Sequence, residues 1–398
     1  MKSRHVQGYS GKNDSSSVLR LLFQQSSGLT SPGQVQENLT SWSLNNLTLS
    51  SHRAVENNCH SASITSVDLD PEDCCYLVAG GGDGSLYIHN ILHYLDPVML
   101  HIGRSNSHCH KNSITSVTWG QDSGMFISSS RDGVIKVWDT NIGKPVEVFT
   151  PGKVIHQHSM KATSAIIAVA GETSHVQLVD LRSGSLAHVL RGGHSGQVLT
   201  LAWCPGASNV LASGGEADRK IVLWDVRQSK SYLHYLDCNK VKTRRRMRSS
   251  DLAGWSHKGP VHGLVWSSCG HYLISTGHDK RIRRWDAMFG RNMKTKFPEI
   301  ETDTKQTVDL EVSSGGLNDY LFVPEKSHVA MLDLDTGERV KTLSGHYSNV
   351  KCLRFNPNQL ELYSGGKDKY IHIWSPESEQ NENTVNNQIT CDNWSDSE

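Results

Sequence analysis

The sequence predicts an all-β protein, a seven-bladed propeller, on two observations. A short apolar pattern recurs seven times, and a fixed set of polar residues recurs around the stronger copies. Aligned on the position that closes each unit, the pattern reads YIHN (87–90), KVWD (136–139), QLVD (177–180), VLWD (222–225), RRWD (283–286), AMLD (330–333) and HIWS (372–375). The intervals of 41 to 61 residues suit four short strands and their turns.

The polar set is deeper than the closing dipeptide. His110, Ser128, Asp132 and Trp138 recur as His194, Ser213, Asp218 and Trp224, as His257, Ser275, Asp279 and Trp285, and as His346, Ser364, Asp368 and Trp374. This constellation resembles the WD40 repeat family, in which such a set implies a buried hydrogen-bonded tetrad within each blade. The chemistry fits that role: the aspartate accepts from the histidine, the histidine meets a hydroxyl, and the hydroxyl meets the indole nitrogen, so each buried polar group has a partner. A hydrolase triad would appear once, beside an oxyanion hole, whereas this set appears four times and includes tryptophan. No catalytic residue is therefore expected. GGGDG (80–84) stands where SSRDG and GGKDK stand in other units, and no G-x-x-x-x-G-K-[ST] occurs. It is expected to be a tight turn between strands.

Three units depart from the set. The first has His60 and Asp83 but Ala79 and His89-Asn90, and the third and sixth keep only Val179-Asp180 and Leu332-Asp333. Strand packing and neighbouring blades are expected to hold them.

Composition excludes several function classes. The 398 residues carry 40 Lys+Arg and 40 Asp+Glu, so net charge selects neither nucleic acid nor an acidic membrane as partner. The 9 cysteines are scattered without a C-x-x-C pair, as expected of reduced thiols in the cytosol or nucleus. His108-Cys109-His110 and His156-Gln157-His158 lack a second ligand pair at zinc-like spacing, so neither metal nor cofactor is expected. No run approaches the ~20 apolar residues of a membrane helix, and VLRLLF (18–23) is too short for a signal peptide. The expectation is a soluble intracellular protein, in which the acceptor-like triplets at Asn38 and Asn46 are chance matches.

The ring is expected over 55–376, with three segments apart from its regular blades. Residues 1–50 form an N-terminal extension, helical or disordered, with two apolar patterns, SSSVLRLLFQQ (15–25) and NLTSWSLNNLTL (38–49). The first reads as a helix capped by Ser17, with Val18, Leu21 and Leu22 on one face. The inter-blade insert 228–256 contains KVKTRRRMR (240–248), read either as a solvated loop or as a nuclear-import or anion-binding signal. Residues 377–398 form an acidic tail without Lys or Arg, expected to be disordered.

A propeller without cofactor motifs is expected to be an interaction platform. Asp218, Trp224, Asp225 and Arg227 have the spacing of the W-D-x-R box of WD40 receptors in cullin-RING ubiquitin ligases, and VDLR places Arg182 alike in the third unit. A guanidinium there can form bidentate bonds to a partner or brace its own blade. Longer stretches, DSGMFISSSRDGVIKVWDTN (122–141), VQLVDLRSG (176–184), LFVPEKSHVAMLDLDTGE (321–338) and LSGHYSNVKCLRFNPNQLELYSGGKDKYIHIW (343–374), closely resemble the Cockayne syndrome group A family. The likeness covers roughly 110–375, including units that break the repeat, and the DNWSDSE terminus is similar too.

That resemblance implies a nuclear substrate receptor, with the cytoplasm also open, acting in transcription-coupled nucleotide excision repair. It implies binding to the damaged-DNA-binding adaptor of the cullin-4 RING ligase, and to the Cockayne syndrome group B remodeller at stalled RNA polymerase II. Arg227, Arg182 and the helix of Val18, Leu21 and Leu22 would meet the adaptor, without covalent chemistry by the chain itself. The alternative is a nuclear peptide-binding scaffold for a histone or splicing partner, outside any ligase. Direct binding to nucleic acid is not expected, because one basic loop without interleaved aromatics makes no such surface.

Overall fold

Seven four-stranded antiparallel sheets stand as blades around a central channel in this computed structural model. It describes residues 31–50, 60–91, 98–102, 109–121, 123–161, 164–205, 209–228, 232–238, 254–301, 307–316 and 318–376. In each blade the strands run a to d outward from the channel. Blade 1 is Ile64–Leu69, Tyr76–Gly81, Leu86–Asn90 and Val98–Ile102, and blade 2 is Ile114–Trp119, Met125–Ser130, Ile135–Asp139 and Lys144–Phe149. Blade 3 is Ile155–Met160, Ile166–Gly171, Val176–Asp180 and Ser185–Leu190, and blade 4 is Val198–Trp203, Val210–Gly215, Ile221–Asp225 and Tyr232–Leu236. Blade 5 is Val261–Trp266, Tyr272–Gly277, Ile282–Asp286 and the short Arg291–Asn292. Blade 6 is Glu311–Val312, Tyr320–Glu325, His328–Asp333 and Arg339–Ser344.

Blade 7 decides how the ring closes. Its strands Val350–Asn356, Glu361–Gly366 and Ile371–Pro376 take their fourth partner from the opposite end of the chain, Leu47–Leu49. Leu47 pairs with Pro376 and Leu49 with Trp374. The propeller therefore begins inside the segment assigned to the extension, and its boundary moves from 55 to 47. A three-residue strand is too short to show an alternating pattern, and its partner lies 327 residues away. Leu44 and Leu47 are fully buried in one core with Phe322, Met331, Leu362 and Trp374, so this closure joins blades 6 and 7 through apolar contact.

The strand is preceded by the one helix among the described residues, α1 (Pro32–Asn45). Ser31 caps it: its hydroxyl accepts from the Gln34 N–H, and the Gln34 side chain accepts from the Ser31 N–H. Pro32 occupies the first turn, where its missing N–H costs no helical bond. Val35, Thr40 and Leu44 form the buried face. The helix assigned to 15–25, with Ser17, Val18, Leu21 and Leu22, lies outside the described residues, as do the basic run 240–248 and the tail 377–398. Within the insert 228–256, Tyr232–Leu236 is the outer strand of blade 4.

Tryptophans at the end of strand a join a blade to the one before it. The Trp119 indole N–H donates to the Asp68 carbonyl at 3.2 Å, Trp203 to Ser159 at 3.0 Å and Trp266 to Ala202 at 3.0 Å. In GGGDG, Gly80 and Gly81 end strand b and Gly84 takes φ +85° in the turn. A Cβ there would collide with the His110 carbonyl of the next blade, so glycine is required twice over.

Candidate functional site

The four recurring sets close as hydrogen-bond chains inside blades 2, 4, 5 and 7. In blade 2 the Trp138 indole donates to the Ser128 hydroxyl at 2.7 Å, which meets His110 Nε2 at 2.7 Å, while His110 Nδ1 meets Asp132 at 3.1 Å. Blade 4 repeats it through Trp224, Ser213, His194 and Asp218 at 2.7, 2.6 and 2.8 Å. Blade 5 does so through Trp285, Ser275, His257 and Asp279 at 2.8, 2.7 and 2.9 Å, and blade 7 through Trp374, Ser364, His346 and Asp368 at 2.8, 2.7 and 2.7 Å. Burial alone would raise the aspartate pKa values, but hydrogen bonding and charge from histidine outweigh it and hold Asp132 down to about 2. The serines and tryptophans are closed to solvent, so the sets present no nucleophile to a substrate. Asp368, His346 and His372 also lie together, with candidate ligand atoms within 4.8 Å. Both nitrogens of His346 are already engaged in the tetrad, and His372 packs edge-on to it at 4.2 Å, so an ion would have to break the set.

In the irregular blades other contacts replace the tetrad. His60 packs edge-on against Tyr87 at 4.3 Å, and Asp83 accepts from the hydroxyls of Ser61 and Ser85. His89 fills the tryptophan position with no solvent exposure, and burial holds its pKa down to about 3. Blade 3 leans on blade 2 through His158, whose Nε2 meets the Thr118 hydroxyl at 2.8 Å and whose Nδ1 meets the Ser129 hydroxyl at 2.7 Å. Asp333 of blade 6 receives the N–H groups of Asp335 and Thr336 at 2.8 and 2.9 Å.

WD domain, G-beta repeat, the description of the WD40 family model, matches residues 52–90, 104–139, 184–225, 252–286 and 337–375. With the tetrads and seven sheets in place, this decides the class. The chain is a WD40-repeat propeller. Its relatives include the WD repeat-containing protein ATCSA-1 of Arabidopsis thaliana, 29% identical over 85% of this chain and 91% of that protein. Radiation-sensitive protein 28 of Saccharomyces cerevisiae is 29% identical over 44% of this chain and 38% of its own length. Cell division cycle 20.4, cofactor of APC complex, of Arabidopsis thaliana is 26% identical over 63% of this chain and 55% of its own length. WD40 propellers of this kind are generally non-catalytic scaffolds or receptors.

The two faces of the propeller differ. Strand c ends at the c–d turns, so Arg182 and Arg227 stand on one face of neighbouring blades 3 and 4. Leu47 pairs with the last residue of strand c in blade 7, which brings α1 in from that same face. Arg227 turns back onto Asp225 of its own blade, its Nε and Nη2 donating to the two carboxylate oxygens, each at 3.1 Å. Its side chain remains 68% exposed. That hydrogen bonding, ahead of an opposing burial effect, lowers the Asp225 pKa. Arg182 donates its backbone N–H to Asp180 at 2.9 Å, and its exposed guanidinium forms no ion pair among the described residues.

Charges in the channel were not legible in the sequence. A cavity of about 720 Å³ is lined by the strand-a ends, with Asp68, Asp309, Glu311 and Arg354 gathered on blades 1, 6 and 7. Arg354 binds Asp68 at 2.8 Å and faces Glu311 at 3.6 Å. Burial and the charge of Glu311 push Asp309 up to about 7, against the pull of Arg354. Asp68, Arg354 and the neighbouring pair Asp309 and Glu311 come from three distant parts of the chain and converge only when the ring closes.

Proposed function

We propose that this propeller is the substrate-recognition subunit of a cullin-4 RING ubiquitin ligase acting in transcription-coupled nucleotide excision repair. The observation that carries the reading is the similarity to ATCSA-1, a protein named with the CSA designation, across 85% of this chain and 91% of that protein. The geometry is compatible with it: α1, Arg182 and Arg227 share one face, where a large adaptor can contact a helix and two adjacent blades together. On this reading the damaged-DNA-binding adaptor docks there, in the nucleus, and the Cockayne syndrome group B remodeller at stalled RNA polymerase II is among the partners. The chain contributes no bond-making step. It raises the local concentration of substrate near the transfer enzyme.

The test is a pull-down of the purified adaptor by the full chain. The Arg182→Glu/Arg227→Glu variant should lose most adaptor binding while keeping its fold by circular dichroism. Truncation must stop at residue 30, because a longer deletion removes α1 and the closing strand. A folded wild-type chain that leaves the adaptor in the flow-through sinks the reading. The scaffold reading draws on relatives named for other assemblies, such as the APC cofactor. Affinity purification before and after ultraviolet damage separates the two, with adaptor, cullin and polymerase expected only for the ligase receptor.

A further inference from the structure

The face opposite Arg182, Arg227 and α1 carries a second feature, at the other mouth of the channel. Strand a starts there, and in blades 1, 2, 3, 4, 5 and 7 its register slips just after the first residue. Such a bulge re-aims the side chain it carries. The bulged residues Thr65, Thr115, His156, Leu199 and Lys351 all line a cavity of about 100 Å³ at this mouth.

Its charges are divided between two rims. On the side of blades 7, 1 and 2, Lys351 and Arg131, the latter from the b–c turn of blade 2, line the cavity. Lys367, in the b–c turn of blade 7, stands beside the start of strand a, its backbone N–H donating to the Asn349 carbonyl at 2.8 Å. Lys351 is half-buried and donates to the Ser63 hydroxyl at 3.3 Å. Burial pulls its pKa below the ordinary lysine value, and the charges of Lys367 and Arg131 add to that pull. Arg131 and Lys367 are exposed and form no ion pair among the described residues. On the far rim, Glu216 accepts from Gln197, whose amide oxygen meets His156 Nε2 at 3.0 Å. Tyr347, 87% exposed, projects from the loop leading into strand a of blade 7, and its backbone N–H is pinned to Asp368 at 3.1 Å.

We propose that this mouth binds an anionic side chain, carboxylate or phosphoryl, presented by a short acidic segment of a partner polypeptide. Arg131, Lys351 and Lys367 receive the anion, and Tyr347 packs against the flanking peptide. The cavity has room for one side chain, and Glu216 on the opposite rim repels a second anion, so a repeating phosphate backbone fits poorly. The site stands apart from the adaptor-facing surface and does not depend on the ligase reading.

Fluorescence anisotropy with the full chain and labelled dodecapeptides tests it. The probes are a peptide with a central Glu-Glu, its phosphoserine counterpart, its Gln-Gln counterpart, and single-stranded DNA of matched charge. At least one of the two anionic peptides should bind about tenfold more tightly than the neutral one, and added salt should weaken it. Arg131→Ala/Lys367→Ala, both exposed positions, should remove about that tenfold with an unchanged melting temperature. Lys351→Met should do the same, provided that circular dichroism shows it folded. Equal binding by the double variant, tighter binding of the DNA than of either anionic peptide, or no preference over Gln-Gln would each overturn the proposal.

Discussion

Blades 2, 4, 5 and 7 hold themselves together from within, whereas blades 1 and 3 borrow from local hydroxyls and from the next blade. In the first group an indole, a hydroxyl, an imidazole and a carboxylate form one closed chain. In blade 3, the buried polar group is His158, and its hydrogen-bond partners belong to blade 2. The difference teaches that a blade needs satisfied polar groups rather than one particular set of them. A closed ring supplies neighbours on both sides, which allows some blades to lose the tetrad.

The comparison is most severely tested by removing a tetrad indole. Trp224→Ala, at a site with no exposure, should cost about 3–5 kcal/mol in a denaturant titration, because it opens a cavity and leaves Ser213 without its donor. Val179→Ala, at the corresponding place in blade 3, should cost about 1–2 kcal/mol. Equal losses would mean that the tetrad adds nothing beyond packing.

Acid sharpens the contrast next. Burial, ahead of the charge of His110, holds His158 down to about 3, below its ordinary 6.5. The unfolded chain therefore binds the extra proton between those values. Stability from this group is whole above pH 6.5 and is lost as pH falls toward 3, with a slope of about 1.4 kcal/mol per pH unit. Asp309, pushed up to about 7, acts in the opposite sense, since the folded state binds its proton first. The slope for wild type minus that for His158→Gln isolates the histidine, and unfolding midpoints from pH 6.5 to 4 should show it. Below pH 4 the tetrad carboxylates join, as Asp132 titrates in the folded state at about 2.

A smaller effect is expected from rebuilding the missing set in blade 1. Ala79→Ser with His89→Trp would complete the tetrad that blade 1 begins with His60 and Asp83, and should gain about 1 kcal/mol if the pocket accepts the larger ring. A loss would show that Tyr87 and His60 have repacked the site beyond restoration. The smallest effect belongs to Arg227→Ala. The Arg227 guanidinium is mostly exposed and screened by solvent, and Asp225 keeps its bond from the backbone N–H of residue 227, so the melting temperature should stay in place. A marked fall would make the arginine a structural brace and weaken its assignment to a partner.

The sequence by itself determined the blades: seven recurrences, four tetrads at nearly constant spacing, and the glycine-rich turn at 80–84. These are local patterns, set by strand alternation and by buried polar groups that need partners close in the chain. Arg182 and Arg227 were legible for the same reason, as each sits two residues past an aspartate. Tertiary structure alone decided that Leu47–Leu49 closes the ring, that His158 ties blade 3 to blade 2, and that Arg131, Lys351 and Lys367 meet at one mouth of the channel. Those groupings join residues from distant parts of the chain, and bulges in strand a turn side chains away from the simple alternation. No pattern of period two carries that information, because the contacts exist only once the seven sheets surround a common axis.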